Sequence, residues 1–198
     1  MVNLIGIEFV GEQNKIGPVI GVCVNLQPDF FRRWSFLNLH RPDKLTKPEL
    51  NKIVELTMKH VDFNIVKIEP RLIMDSDELK EIEFGFVIDL LNRTPKFWKN
   101  KIYINNSLTA GDRDLFVKGL KAQLPTNLSD IEPELNMDKW TIMEDCTKKT
   151  AELAACYAQY YLDKELDEIR SIWGELDSIT DPECPHIKRL SNGNNKKN

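Results

Sequence analysis

The chain has 198 residues and a mass of 23.0 kDa, enough for one ordinary domain that buries an apolar core without disulfide bonds. Hydrophobic residues make up 41% and charged residues 29%, a balance that excludes an integral membrane protein and a disordered chain. The formal net charge is −4, so a broad positive field for non-specific nucleic-acid binding is excluded too. Any polyanion must be bound by a local group of cations.

The four cysteines show no C-x-x-C spacing, and no cationic stretch followed by an apolar run suggests a secretion signal. We therefore expect reduced thiols and a cytoplasmic protein. No apolar run approaches the roughly 20 residues that a membrane-spanning helix needs, so no membrane partner is expected.

The first 60 residues of the chain predict mainly strands. Two apolar runs, at residues 2–10 and 17–26, are separated by a polar stretch and are typical of a strand, a loop and a second strand. Weak alternation over residues 34–39 predicts a third, antiparallel strand. Thr46 is a suitable N-cap for a helix that ends near His60.

The middle of the chain alternates between the two kinds of element. Residues 63–68 predict a strand, and Ser76 can cap a helix that Pro95 closes. A strand at 101–105 is followed by a predicted helix around 115–120 and a loop at 125–133.

The last third predicts a short strand at 139–143 and a long helix from about Asp145 to Trp173, with small residues on the side that packs against a sheet. The economical interpretation is one α/β domain over residues 1–190. It has a mixed sheet flanked by helices and ends in a C-terminal helical appendage. The polar tail at 191–198 is expected to be disordered.

Two carboxylates are candidates for magnesium chemistry, because Mg²⁺ prefers hard oxygen ligands at strand ends and on adjacent helices. Glu8 lies near the end of the first strand, and Asp163 lies on the long helix. Taken alone, Glu8 is more consistent with a carboxylate at a sheet edge or facing solvent, and Asp163 even more so with a solvated face of its helix.

The segment Gly6-Ile7-Glu8-Phe9-Val10-Gly11, followed by Ile16-Gly17-Pro18, resembles the opening of the ribonuclease HII (type 2 ribonuclease H) family. The family pattern there is G-I-D-E-x-G-R-G, with Gly-Pro at the same distance downstream. Four later segments follow in the family's order. Lys44-Leu45-Thr46 resembles the family's D-S-K-K-L motif, and Ile102-Tyr103-Ile104-Asn105 resembles the archaeal V-Y-V-D motif. Ala158-Gln159-Tyr160-Tyr161-Leu162-Asp163 resembles A-K-V-T-R-D, and Thr180-Asp181-Pro182 resembles S-D-P. The resemblance runs from about Leu4 to Pro182 and implies a ribonuclease H-like fold.

The resemblance also implies a catalytic site, which this sequence alters. In the family, three Asp and one Glu hold two divalent ions that cut RNA in RNA/DNA hybrids. Those four positions fall on Glu8, Phe9, Asn105 and Asp163. Two carboxylates do not neutralise two ions of charge +2 placed close together, so we expect at most one Mg²⁺ or Mn²⁺, with Glu8 and Asp163 as its ligands.

The family's substrate contacts are altered as well. Gly11-Glu12-Gln13 stands in place of the G-R-G turn, which approaches the ribose 2′-hydroxyl through its backbone, and Glu12 has the wrong sign for a phosphate. Of the two lysines in D-S-K-K-L, one is matched by Lys44 and the other by Asp43. Ser178 replaces the tyrosine that stacks on the sugar. Gly11 and Lys44 remain as candidate nucleic-acid contacts.

Together these changes predict a ribonuclease HII-like protein with a degenerate site, impaired in catalysis. It either binds RNA/DNA hybrid or duplex nucleic acid weakly, or acts through an unknown protein partner. Local cations for such binding are Arg32, Arg33, Lys44 and those at 96–101. The alternative is an active endoribonuclease with a rebuilt one-metal site, in which Glu8 and Asp163 are joined by a third acid such as Glu12 or Asp145.

Overall fold

The computed structural model describes residues 4–27, 29–37, 39–73, 76–93, 101–105, 142–180 and 184–188, with the backbone alone at 76–78, 80, 101–105 and 142–147. Its centre is a four-stranded sheet in the order β3-β2-β1-β4. The strands are β1 (Leu4–Val10), β2 (Val19–Leu26), β3 (Asp62–Ile68) and β4 (Lys101–Asn105). The pairs β1–β2 and β2–β3 are antiparallel, and β4 runs parallel to β1. The sheet is mixed, as expected.

The helices are α1 (Phe30–Arg33), α2 (Lys47–Thr57), α3 (Ser76–Arg93) and α4 (Ile142–Trp173). Three short 3₁₀ helices lie at Pro42–Lys44, Pro70–Leu72 and Leu176–Ser178. The predictions of the first two strands, of α2, of β3, of α3 and of β4 are confirmed, and α4 ends at the predicted Trp173. Gly174 follows it with φ +85°, the left-handed conformation that commonly ends a helix.

The two faces of the sheet are covered by different helices. The face that carries α2 and α4 forms the α4-side core, which includes Ile20, Val22, Val24, Leu26, Leu50, Ile53, Val54, Leu153, Ala154, Tyr157 and Leu162. The opposite face carries α3 and forms the α3-side core, made of Ile5, Ile7, Phe9, Val19, Cys23, Val66, Ile68, Ile73, Leu79, Val87, Ile88, Leu90 and Leu91. Because successive side chains of a strand point to opposite faces, β1 contributes to both cores.

Helix α4 lies close to β1 because both contribute small residues at their contact. Ala151, Ala154, Ala155 and Ala158 are all buried on the helix. On the strand, a Cβ added to Gly6 would lie 2.6 Å from the carbonyl carbon and oxygen of Thr150. The predicted packing of an alanine-rich helix on the sheet is therefore confirmed, and α4 is an integral layer of the fold.

Helix α2 begins as predicted, since Thr46 and Glu49 form a capping box at its start. The Glu49 carboxylate accepts hydrogen bonds from the Thr46 backbone nitrogen at 2.8 Å and from the Thr46 hydroxyl at 2.7 Å. These bonds lower the pKa of Glu49. At its other end α2 meets α4, where the hydroxyl oxygens of Thr57 and Tyr157 are 2.9 Å apart and buried.

Tyr157→Phe tests the contact between α2 and α4. We expect the free energy of unfolding to fall by about 1 kcal/mol, because the Tyr157 hydroxyl loses a buried hydrogen bond. The loss stays modest because the Thr57 hydroxyl keeps its bond to the carbonyl oxygen of Ile53 at 2.8 Å. Urea unfolding followed by circular dichroism measures it. Tyr161→Phe, on a half-buried ring of the same helix, is the control, and an equal loss in both variants would contradict the assignment.

Two sequence predictions are wrong in the described residues. Residues 34–37 form a turn after α1, not a strand, because the Trp34 nitrogen donates to the Phe30 carbonyl at 2.9 Å and Leu37 to Trp34 at 3.0 Å. The strand predicted at 139–143 is also wrong where it is described, since Ile142 and Met143 already belong to α4. The helix expected around 115–120, the loop at 125–133 and the tail at 191–198 lie outside the described residues.

Within the part of the chain that the structure describes, no helix combines the length and the apolar character needed to cross a membrane. Three of the cysteines, Cys23, Cys156 and Cys184, are described and buried as free thiols. Burial raises the pKa of the Cys156 thiol to about 12, so this thiol is protonated at neutral pH. Cys23 and Cys156 pack in the α3-side and α4-side cores respectively.

Candidate functional site

Glu8 lies on the central strand β1 and is buried, with 6% of its surface exposed. It is in register with Val22 of β2 on one side and Asn105 of β4 on the other. Its alternation with Gly6 and Val10 places it on the face of the sheet that α4 covers. The interpretation of Glu8 as a carboxylate facing solvent is therefore wrong, because β2, β4 and α4 enclose it.

Phe9, the next residue, points to the opposite face of the sheet. It is 5% exposed and belongs to the α3-side core. Its ring lies across the neighbouring Gly21, where an added Cβ would be only 2.4 Å from the Phe9 Cε1 atom. The position that the resemblance matches to the family's Glu is thus occupied by an aromatic ring that packs against α3 and stays away from Glu8.

Asp163 is half-buried on α4. It is about 100° round the helix from Leu162, which packs under Gly11. The Gln159 side-chain nitrogen donates a 2.7 Å hydrogen bond to the Asp163 carboxylate. This amide, one helical turn away, fixes the Asp163 side chain without neutralising its charge.

The donor set of the described side chains does not fit a pair of divalent ions. Among the residues whose side chains are described, no three His, Cys, Asp or Glu lie close enough together to hold a metal ion. Glu12 therefore does not join Glu8 and Asp163 in such a group. Asn105 lies beside Glu8 by register, but its side chain, like that of Asp145, is outside the described residues. The two carboxylates carry a charge of −2, which does not neutralise the charge of +4 on two divalent ions.

The turn after β1 keeps the glycines that the resemblance picked out. Gly11 has φ +94° and an added Cβ there would be 2.6 Å from the Pro18 carbonyl oxygen, so only glycine fits. Gly17 has φ +90° and packs against Leu166 of α4. The turn between β1 and β2 therefore sits directly on the long helix, at the end of the strand that carries Glu8.

Lys188, which the sequence did not single out, closes this turn. Residues 184–188 lie along it: Ile187 pairs with Ile16, and the Lys188 nitrogen donates to the Lys15 carbonyl at 2.9 Å. The Lys188 ammonium donates to the carbonyl oxygen of Gly11, which also accepts from the Asn14 nitrogen at 3.1 Å. Both lone pairs of the Gly11 carbonyl are thus engaged within the protein.

Lys188 is 5% exposed, and its burial lowers the pKa of the ammonium to about 8, although the charge of nearby Glu12 acts in the opposite direction. Glu12 therefore faces a cation of the chain itself. No signal in the sequence pointed to Lys188, because its partner Gly11 is 177 residues away.

Lys44 is exposed in the 3₁₀ helix Pro42–Lys44, on the segment that crosses α4. This segment is held by a bond from the Cys156 thiol to the His40 carbonyl at 3.4 Å and by an ion pair between Lys47 and Asp167 at 2.8 Å. Ser178 is exposed in the 3₁₀ helix Leu176–Ser178. Of the cations at 96–101, no side chain lies within the described residues.

Several solved structures have the same fold. Ribonuclease H2 from Pyrococcus horikoshii matches with a TM-score of 0.65 and 18% identity, over 91% of this chain and 82% of that one. RNase HII from Archaeoglobus fulgidus, solved as a complex with PCNA, matches with a TM-score of 0.62 and 16% identity, over 91% and 84% of the two chains. RNase H3 from Aquifex aeolicus matches with a TM-score of 0.64 and 15% identity, over 94% of this chain and 71% of that one.

At the level of sequence, no protein-family model and no curated protein matches the chain. The structural matches nevertheless cover about nine-tenths of it and agree with the mixed sheet and the long C-terminal helix. The predicted fold class is confirmed: the chain has the type 2 ribonuclease H fold, as the resemblance in its sequence implied.

Proposed function

We propose that this chain binds RNA/DNA hybrid or other duplex nucleic acid without cutting it. The observation that carries the proposal is the placement of Phe9, whose buried ring occupies a position where the resemblance requires a metal-binding carboxylate. Phenylalanine has no carboxylate that could bind a metal ion together with Glu8, and Asn105 offers only a neutral oxygen. The cytoplasm, a reducing compartment, suits the free thiols of the described residues.

The turn at Gly11 supports the same proposal. The resemblance assigns this turn to backbone recognition of the ribose, yet its Gly11 carbonyl is already bonded to Lys188 and Asn14. Glu12 repels a phosphate at the same place. Recognition of a single ribonucleotide within DNA should therefore be weak, and binding should depend on exposed cations such as Lys44.

The cleavage test uses a DNA duplex that contains one ribonucleotide, incubated with the purified chain in Mg²⁺ and, separately, in Mn²⁺. We expect no product above the buffer blank, because the remaining carboxylates do not balance two ions. Products are resolved on a denaturing gel. Asp163→Ala and Glu8→Gln are prepared in parallel to identify any contaminating nuclease, whose activity would persist in both variants.

Cleavage by the wild-type chain that both substitutions abolish would overturn the proposal. It would establish the second candidate, an endoribonuclease with one Mg²⁺ or Mn²⁺ held by Glu8 and Asp163. One observation favours that candidate: Glu8 is turned into the protein, in register with Asn105 on the neighbouring strand.

Binding is measured without divalent ions, by anisotropy of a labelled RNA/DNA hybrid over a series of salt concentrations. We expect the affinity to fall steeply with salt, and Lys44→Gln to lower the slope of log K against log salt by about 1. Arg93→Gln is the control, because Arg93 lies on α3 across the sheet and pairs with Asp89 at 2.6 Å. No binding at low salt would exclude the nucleic-acid role and favour a protein partner.

A further inference from the structure

A row of aromatic rings extends from the α4-side core to the surface after α1. Phe30 is buried in the core, and its ring stacks on Trp34 with centroids 5.9 Å apart. The Trp34 ring in turn contacts Phe36 at 5.5 Å and His60, at the end of α2, at 5.2 Å. The buried ring anchors the outer three, which we call the ring cluster: Trp34, Phe36 and His60.

The ring cluster is presented to solvent. Phe36 is 69% exposed, the largest exposed fraction among the large apolar side chains of the described residues. His60 is exposed and Trp34 is half-buried. Backbone hydrogen bonds hold the loop that carries the rings: Trp34 donates to Phe30 at 2.9 Å, and His60 donates to Thr57 at 2.8 Å. The backbone that carries the exposed rings is therefore held in place by hydrogen bonds.

The segment that carries the ring cluster has an excess of basic residues, in contrast to the chain as a whole. Residues 29–60 hold seven Lys and Arg against four Asp and Glu, whereas the whole chain has a net charge of −4. Arg33 pairs with Asp29 at 2.6 Å. Arg32 and Lys59, which precede the rings of the cluster along the chain, are both exposed. Exposed rings bordered by positive charge complement a ligand that is flat, apolar on its faces and negatively charged along its backbone.

We propose that the ring cluster is a stacking site for the unpaired bases of single-stranded nucleic acid, with Arg32 and Lys59 beside its phosphates. Every nucleic-acid base has a π-face that stacks on an aromatic ring, and such stacking tolerates any sequence. In a duplex the base faces are covered by neighbouring base pairs, so the ring cluster has no access to them. This site goes beyond the duplex binding proposed above and is independent of it.

The test compares two labelled single strands of equal length and charge, a twelve-residue oligothymidine and an abasic strand, by anisotropy at low salt. We expect oligothymidine to bind more tightly than the abasic strand, and Phe36→Ala to weaken oligothymidine binding about fivefold or more. Phe36→Trp should restore it. Ile172→Ala is the matched control, because Ile172 on α4 is 68% exposed, nearly the same as Phe36. Truncation at either exposed position leaves the core intact, which circular dichroism verifies.

Three results would overturn the proposal. The first is equal binding of the oligothymidine and abasic strands, which would reduce the interaction to charge alone. The second is an unchanged affinity in Phe36→Ala. The third is displacement of oligothymidine by an acidic peptide that itself binds with the same dependence on Phe36, which would identify a protein surface. Weaker hybrid binding in Lys44→Gln with oligothymidine binding unchanged would support a site separate from the duplex site.

Discussion

Gly6→Ala is expected to lower the free energy of unfolding by about 3 kcal/mol, the upper end of the usual range for overpacking. The added methyl group would lie 2.6 Å from the carbonyl carbon and oxygen of Thr150 and 2.7 Å from the nitrogen of Ala151. All three are backbone atoms of α4, so no side chain can rotate to make room. The helix must move away from β1, and the buried contacts along their whole length loosen with it.

Gly85→Ala is the matched control for that substitution. Gly85 is exposed within α3, and nothing lies within 4 Å of a Cβ added there. The same chemical change should therefore stabilise the protein by about 0.5–1 kcal/mol, because alanine favours a helix over glycine. Urea unfolding of both variants gives the comparison. A loss below about 1 kcal/mol for Gly6→Ala would show that α4 does not lie as close to β1 as described.

Lys188→Met should remove a pH dependence from the stability of the protein. Burial lowers the pKa of Lys188 to about 8, whereas an unfolded lysine titrates near 10.5. Between these values the unfolded chain holds a proton that the folded chain has released, so stability rises with pH in this window. At about 1.4 kcal/mol per pKa unit, the rise is on the order of 3 kcal/mol and is absent from the variant.

The effect of Lys188 must be taken as the difference in stability between wild type and variant at each pH, because other groups titrate in the same pH range. Burial raises the pKa of Cys156 and of Tyr157 to about 12, which makes stability fall at high pH in both proteins alike. Chemical unfolding from pH 7 to pH 10.5 is the measurement, and Lys15→Met, at an exposed position, is the control. Parallel curves for wild type and Lys188→Met would mean that the Lys188 ammonium is solvated.

The order of strands and helices was predictable where the hydrophobic period was unambiguous. The capping residue Thr46 marked the start of α2, and the alanines of α4 marked its packing side. The failure at residues 34–37 has a physical cause. Trp34 and Phe36 alternate with polar Ser35 as in a strand, but ring contacts to Phe30 and His60 determine the backbone there, and those contacts are tertiary.

For the candidate site, the sequence located residues but not their surroundings. The spacing of glycines pointed to Glu8 and Gly11, and the structure places both on or beside β1. The burial of Glu8 depends on α4, and Phe9 turns away because Gly21 on β2 leaves space for its ring. Lys188 could not be found, since the pattern around it resembles any polar segment near a chain end.

The position of β1 in the sheet has a consequence for the order of folding. Its antiparallel partner β2 begins nine residues after β1 ends, so this hairpin can form as soon as Leu26 is free. Its parallel partner β4 begins at Lys101, and the helix that covers Glu8 begins at Ile142. Such distant contacts form late. During synthesis from the N-terminus, the enclosure of Glu8 is therefore completed only after α4, which begins 134 residues beyond Glu8, has been made.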